Sequence, residues 1–428
     1  MDTESPVHHL SQAENSTKSY PCYCSPDSEP GSVLLFYRYF ANNPVLPVEH
    51  ASKTQSPEDL AAFHRDLATS LALTGKLRIA KEGFNITIGG NVSHINEYVN
   101  ACCQHWSFSD LPLSTEEERN TFFKPTPGCC CVFRNLSIKV CDEITPMGVT
   151  GYSPRNWSSV REIGPAEWHE LLTASPASAG DVVLLDVRNH YESALGYFTS
   201  SSGSRAIRPQ VRRFSQFPQY IKRRRLDGQI QIDTHKPKKI FSYCTGGIRC
   251  EKATRFMAEN LPQGDMEVLT LKGGIAAYLS WIDNEIRGVR LTPNDSLFKG
   301  RNYVFDGRGS VGLEGGGEEV VGVCHRCLSP ADGTKKCMST GCHLELVVCR
   351  DCADEAVCCT DCKRLDDETK ADTRGKRPMC ECERMRERRL WAEDGTKTSR
   401  KQHWKNGRRK KQVEIHIEVQ RISQKLDS

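Results

Sequence analysis

Apolar positions recur along this chain with two periods, and the switches between them outline successive folded units. In the first third, residues 33–40 carry the dense apolar pattern of a strand, and residues 59–73 have the three-to-four-residue spacing of an amphipathic helix. Residues 76–80 and 85–89 read as short strands, residues 92–103 as a second helix, and residues 136–141 as a returning strand. A second series follows. Ile163-Gly164-Pro165 precedes a helical pattern over residues 166–172, and Val182-Val183-Leu184-Leu185-Asp186-Val187-Arg188 is a buried strand ending in Asp and Arg. Lys239-Ile240-Phe241-Ser242-Tyr243 is another strand, followed by Ala253, Phe256, Met257 and Leu261 at helical spacing and by Val268-Leu269-Thr270-Leu271.

Strand, helix, strand, strand, helix, strand is the order of a ferredoxin-like, or acylphosphatase-like, α+β domain, expected over residues 33–145. Nothing in its Glu82-Gly83-Phe84-Asn85-Ile86-Thr87 turn demands catalysis. Alternating strands and helices over residues 146–309 predict an α/β domain whose parallel sheet is covered on both faces, with functional loops at the carboxyl ends of its strands. A small Cys-rich module is expected at 310–365, and disordered segments at 1–32 and 366–428, the latter basic.

A chain of 428 residues has room for two to three domains, and its hydrophobic fraction of 38% implies that part of it is tail. The net charge of +4 is modest, so local basic clusters matter more than the total. No run of about twenty apolar residues predicts a membrane span. Residues 1–31 hold five acids, no arginine and no apolar core, against secretion or mitochondrial import. A cytoplasmic location follows, with a nuclear one left open by the basic tail. Twenty-one cysteines in a reducing compartment are expected to serve as metal ligands, catalytic groups or small core residues.

One cysteine has the setting of a reactive thiolate. Cys244-Thr245-Gly246-Gly247-Ile248-Arg249 runs from a strand end through a glycine turn into a helix. The glycines let backbone N–H groups turn toward the sulfur, and the helix N-terminus favours negative charge. Arg249 can lower the thiol pKa or contact a phosphate; Cys250 can resolve an oxidised or persulfidated Cys244 or pack in the core. No flavin, haem or nucleotide-binding motif is present.

Eleven cysteines follow residue 323, including three Cys-x-x-Cys pairs. Cys324, Cys327, Cys337, Cys342, Cys349, Cys352, Cys359 and Cys362 suit two structural zinc ions, with His325 and His343 as substitutes; Cys358, Cys380 and Cys382 have no assigned role. The region has too few large apolar residues to fold on burial alone, whereas a metal supplies that free energy.

Arg205, Arg208, Arg212, Arg213, Lys222, Arg223, Arg224 and Arg225 form a basic run with Phe214, Phe217 and Tyr220 interleaved. Such a run either binds single-stranded RNA, with the aromatics stacking on bases, or is a solvated face over core aromatics. Residues 397–411 carry eight Lys/Arg and no acid, as an RNA-binding arm, a nuclear-import patch or a solubilising tail does; residues 413–419 alternate as one strand.

The Asp186-x-Arg188 strand end and the loop at Cys244 resemble the rhodanese domain. The resemblance implies that sulfurtransferases of that fold use a six-residue loop, as here, and the related phosphatases a longer one. Glu82 to Thr87, the run Cys244-Thr245-Gly246-Gly247-Ile248-Arg249-Cys250-Glu251-Lys252, Leu271-Lys272-Gly273-Gly274-Ile275, Tyr303-Val304-Phe305-Asp306-x-Arg308 and Cys324-His325-x-Cys327 together resemble the rhodanese-domain tRNA uridine hydroxylases. That resemblance implies oxygen-dependent conversion of a wobble uridine to 5-hydroxyuridine, with Cys244 as catalytic cysteine, molecular oxygen as co-substrate and tRNA as partner. The alternatives are a sulfurtransferase passing a persulfide through Cys244 to or from a partner protein, and a non-catalytic scaffold. The chain departs from the pattern at Tyr197, where rhodanese domains often have His, at Cys129-Cys130-Cys131, and in an insertion over residues 42–56.

Overall fold

In the first unit, strands and helices alternate as β1 (Gly31–Tyr39), α1 (Pro57–Ser70), β2 (Thr74–Ala80), β3 (Gly83–Asn91), α2 (Val92–Gln104), α3 (Glu116–Phe123), β4 (Thr126–Pro127) and β5 (Leu136–Val140). The computed structural model describes residues 22–24, 29–149, 151–174, 182–222, 239–260, 267–314, 316, 319–340, 342, 344–369 and 379–391. The sheet order is β4-β1-β3-β2-β5, with β3 antiparallel to both β1 and β2 and β4 antiparallel to β1. This is the ferredoxin-like arrangement with one correction. The returning strand is the two-residue β4, and residues 136–140 instead lie parallel to β2 on the opposite edge. A two-residue strand ending in proline has no periodicity to read, whereas the alternating run at 136–140 does.

Strand alternation gives this sheet two different faces. Leu34, Phe36, Leu77, Ile79, Phe84, Ile86 and Ile88 pack under the helices with Leu60, Ile95, Tyr98 and Phe108. The other face of β1, with Leu35, Tyr37 and Tyr39, turns toward the second unit.

That second unit comprises β6 (Arg161–Ile163), α4 (Pro165–Ala174), β7 (Val182–Asp186), α5 (His190–Leu195), β8 (Gly196–Phe198), α6 (Phe217–Lys222), β9 (Lys239–Tyr243), α7 (Ile248–Asn260), β10 (Glu267–Leu271), α8 (Gly274–Arg287) and β11 (Phe298–Gly300). Its main sheet is parallel, in the order β6-β10-β9-β7. Neighbouring residues on one strand enter opposite cores: Val183, Leu185 and Ile240 pack under α6 and α7, while Leu184, Phe241 and Leu269 pack under α4 and α8 with Trp168 and Ile275. Burial on both faces explains the nearly unbroken apolar runs of these strands.

The remainder holds the pairs β12 (Asn302–Tyr303) with β13 (Ser310–Val311) and β14 (Gly333–Lys336) with β15 (Glu345–Val348), then α9 (Thr360–Thr369) and α10 (Glu381–Trp391). Its interior is largely cysteine, supplemented by Leu344, Leu346, Val347 and Val348, and it packs on α5 through Tyr191, Ala194 and Leu195. Helix α10 lies in the segment expected to be a disordered tail. It is docked, because Glu383 pairs with Arg212 at 3.0 Å and Arg386 donates to the Gln210 carbonyl at 2.6 Å. The basic residues 397–411 and the strand expected at 413–419 lie outside the described residues. No helix among the described residues is long and apolar enough to cross a membrane.

Candidate active site

Strand β9 ends at Tyr243 and delivers Cys244 to the carboxyl edge of the parallel sheet, where the chain turns through Thr245, Gly246 and Gly247 into α7 at Ile248. The turn depends on Gly247, whose φ of 100° disfavours residues with a side chain. Its N–H donates to Cys244 Sγ at 3.2 Å. Beneath the loop, Ile275 N–H donates to the Cys244 carbonyl and Ala276 N–H to that of Thr245, each at 3.0 Å. Gly274 allows this approach, since a Cβ there would lie 2.5 Å from the Cys244 carbonyl oxygen.

Cys244 is 0% exposed. Burial opposes its ionisation, but the Cys250 thiol, the Arg249 guanidinium and the N–H groups of Cys250 and Arg249 outweigh it, bringing the thiol from 9.0 down to about 6. These donors favour the thiolate form of the sulfur. Cys250 faces the same sulfur, and burial first, then the hydrogen bond with Cys244 and its charge, pushes its own thiol well above the ordinary value.

Arg249 is held away from any phosphate. Its two terminal nitrogens each donate to a Glu192 carboxylate oxygen at 2.7 Å, and Nη2 also reaches Thr245 Oγ1 at 3.0 Å. Thr245 donates to Glu192 at 3.1 Å, closing a buried network. Glu192 sits on α5, whose other side carries the Cys-rich module, so that module buttresses the loop through one helix. Asp186 and Arg188 form a second pair, 2.7 Å apart and both 0% exposed. Arg188 also donates to the Gly196 carbonyl, so this pair fixes the strand end and does not touch Cys244.

The first unit lies directly on this loop. A Cβ on Gly246 would come within 2.9 Å of Leu35 Cδ2, and one on Gly247 within 2.6 Å of Tyr37 Oη. Tyr37 donates to Glu251 at 2.9 Å, and Tyr39 reaches the Ile248 carbonyl at 3.4 Å. Fully buried Lys252 bridges the units by pairing with Glu82 at 2.8 Å and Glu143 at 2.9 Å. Glu82 also accepts from Ile144 N–H at 2.8 Å, so the Glu-Gly-x-Asn turn anchors the connection between the units. Burial, then the Glu162 charge, raises the Glu251 carboxyl to about 8 against the Arg255 charge.

Lys124 is the residue that sequence reasoning missed. It caps α3 in a left-handed conformation, and its ammonium lies over the Tyr37 ring at 5.7 Å. Burial lowers it from 10.5 to about 8, partly offset by the Cys244 charge and reinforced by Lys272. Lys124 thus brings positive charge toward the Cys244 sulfur. No motif surrounds Lys124; only the docking of the two units brings it there.

The basic run divides. Phe214, Phe217 and Tyr220 are core residues under the sheet, which removes them as base-stacking groups. Arg212 is paired with Glu383. Arg208 lies 4.2 Å over the Tyr197 ring, so the departure at Tyr197 makes a seat for an arginine. Arg213 and Lys222 are exposed, and Arg223, Arg224 and Arg225 lie outside the described residues.

Cys324, Cys327, Cys349 and Cys352 converge with all sulfurs within 4.8 Å of one another, as do Cys337, Cys342, Cys358 and Cys362. Cys358, not Cys359, completes the second quartet. Cys359 belongs to an overlapping group with Cys358, Cys362 and Cys380, its sulfur 3.8 Å from that of Cys358. His325 is turned to the Cys358 carbonyl at 2.6 Å, and His343 lies outside the described residues. The separations Cys327–Cys349, 3.7 Å, Cys342–Cys358, 3.8 Å, and Cys337–Cys362, 3.9 Å, lie near the edge of about 3.8 Å that four thiolates make around zinc at about 2.3 Å, while Cys358–Cys362, at 3.2 Å, is shorter than that edge.

A cysteine loop at a parallel sheet's carboxyl edge, roofed by an acylphosphatase-like domain, defines a rhodanese-type protein with an added N-terminal unit. A family profile described as "UPF0176 acylphosphatase like domain" matches residues 31–144, and one described as "Rhodanase C-terminal" matches 299–363. The chain is 34% identical over 276 residues to the tRNA uridine(34) hydroxylase of Acinetobacter baumannii strain AYE, covering 64% of this chain and 74% of that protein. It is 33% identical over 262 residues to the protein of the same name from Synechocystis, covering 61% and 80%. Rhodanese-like domain-containing protein 6 of Arabidopsis thaliana is 28% identical over 334 residues, covering 76% of this chain and 51% of that one. The chain belongs to the tRNA uridine(34) hydroxylase family.

Proposed function

We propose that this protein hydroxylates C5 of the wobble uridine of tRNA, with Cys244 as the nucleophile. The observation that carries the reading is Cys244 Sγ held by the Gly247 N–H at 3.2 Å in a loop at the seam between two domains, in a chain of this family. A wobble base is unpaired in the anticodon loop and can be splayed into such a seam. Addition of the Cys244 thiolate to C6 of uracil makes C5 electron-rich, ready to take oxygen; loss of the C5 proton and of Cys244 then restores the ring. With molecular oxygen as co-substrate, one atom enters at C5 and the other leaves as water, so a co-reductant supplies two electrons. Lys124 is placed to offset negative charge developing on the ring.

Cys324, Cys327, Cys349 and Cys352 would hold one structural zinc ion, and Cys337, Cys342, Cys358 and Cys362 a second. Arg213 and Lys222, with Arg223, Arg224 and Arg225, remain the proposed tRNA contacts. Hydroxylation by purified protein, read as 5-hydroxyuridine in substrate tRNA, tests the reading; full activity in Cys244→Ala would end it.

A second reading, persulfide transfer, is favoured by the six-residue loop and by Cys250 lying against Cys244. Thiosulfate turnover with cyanide as acceptor, lost in Cys244→Ala, would support it.

A further inference from the structure

The cysteines at 129–131, anomalous within the first domain, meet the only described residues of the N-terminal stretch before residue 29. Cys22 Sγ lies 3.7 Å from Cys129 Sγ, and Cys24 Sγ lies 3.7 Å from Cys131 Sγ. All four sulfurs are within 4.8 Å of one another. We propose that Cys22, Cys24, Cys129 and Cys131 form a tetrathiolate zinc site that staples the N-terminal segment to the first domain.

Geometry, chemistry and packing agree on this. Both separations equal the edge of about 3.8 Å expected of four thiolates around zinc. Tyr23 N–H points at Cys131 Sγ from 3.4 Å, the kind of outer hydrogen bond that orients a metal-bound thiolate. Two Cys-x-Cys pairs, about a hundred residues apart in sequence, supply two ligands each. Apolar burial does not explain why residues 22–24 lie here, because Tyr23 is 82% exposed. A segment with no apolar anchor needs another source of free energy, and a structural metal is one.

The receiving side is built to hold its shape. Thr74 Oγ1 donates to the Cys130 carbonyl, and Gly31 leaves no room for a side chain, whose Cβ would stand 2.7 Å from Cys129 Cα. Beside it, Arg308 donates to Thr126 Oγ1 and to the Pro127 carbonyl, each at 2.8 Å, and Gly307 N–H donates to the Val132 carbonyl at 2.8 Å. The site therefore fastens the N-terminal segment to the turn after β4, and that turn is held independently by the 306–308 loop. It is separate from the two quartets proposed above.

The test is zinc stoichiometry of the purified full chain by elemental analysis, comparing wild type with Cys22→Ser/Cys24→Ser, Cys129→Ser/Cys131→Ser and all four together. Each variant is expected to lose one zinc equivalent per chain, the quadruple no more than either double, and Cys130→Ser none. The Cys22/Cys24 variant changes no residue of a hydrophobic core, so its circular dichroism should match wild type. Cobalt-substituted protein should lose one site's share of thiolate-to-cobalt absorption in the same variants. Unchanged zinc content in either double variant, iron in place of zinc, or Cys22–Cys129 and Cys24–Cys131 disulfides in a non-reducing peptide map would overturn the proposal.

Discussion

The Cys244 loop and the Cys-rich module both depend on sulfur, and they surround it in opposite ways. Around Cys244 the neighbours are donors: the Gly247 N–H, the Cys250 thiol and the Arg249 cation, enclosed by a core that includes Phe256, Met257 and Ile240. Around Cys358 the neighbours are other thiols, with Sγ of Cys362 at 3.2 Å and of Cys380 at 3.5 Å. A thiol among donors is favoured as a thiolate. Thiols crowded together repel as thiolates unless a cation joins them, and the module around them has little apolar surface to compensate.

The strongest way to break the comparison is to remove metal. Chelation should unfold the module between residues 324 and 362, because structural zinc carries about 10–16 kcal/mol of binding energy in small domains. The parallel sheet should persist. Hydrogen exchange measured peptide by peptide would show rapid exchange in the module and α5, and around residues 22–24 and 129–131 where the further site proposed above would also lose its metal; unchanged protection in the module would separate its fold from metal.

Next in size is Arg249→Met. It leaves the Glu192 carboxylate buried without its partner, which should cost about 3–5 kcal/mol in denaturant unfolding. The Cys244 thiol should also move up from about 6, toward its ordinary range, read as thiolate absorbance against a Cys244→Ser reference. A stable Arg249→Met protein with an unshifted thiol would show that the backbone amides suffice.

The seam between the domains gives a pH signature. Cys244 is protonated below about 6, so hydroxylation should rise as pH passes that value; Lys124 loses its charge above about 8, so activity should fall there. Lys124→Met should reduce kcat by about 10- to 100-fold and abolish the alkaline limb while keeping the acid one. Lys124→Arg should hold activity beyond pH 8. If the alkaline limb survives in Lys124→Met, Glu251, which also titrates near 8, is its source.

The smallest expected effect concerns RNA. Replacing Arg223, Arg224 and Arg225 with Ala should reduce the salt slope of tRNA binding by about 2, at about 0.7 per single-strand phosphate contact. An unchanged slope would leave Arg213, Lys222, Lys272 or residues 397–411 as the contacts.

What was legible in the sequence was what lies close together in it. The loop from Cys244 to Cys250 could be read because strand, turn and helix are contiguous, and the Cys-x-x-Cys pairs because each knuckle is local. Lys124, Leu35 and Tyr37 could not, because they reach Cys244 only through the packing of one domain on another. Arg249 was ambiguous for the same reason, its partner Glu192 lying 57 residues away. Phe214, Phe217 and Tyr220 fit a helix's buried stripe as well as a stacking platform, and burial decided between them. Cys358 and Cys359 differ by one residue, and spacing rules do not resolve which of two neighbours faces a cluster.

The account rests on Cys244 acting on tRNA. The direct measurement is nucleoside mass spectrometry of tRNA from cells lacking this protein, complemented with the intact chain or with Cys244→Ala. The account predicts that 5-hydroxyuridine derivatives disappear and return only with the intact chain. An unchanged nucleoside profile, or full rescue by Cys244→Ala, would contradict it.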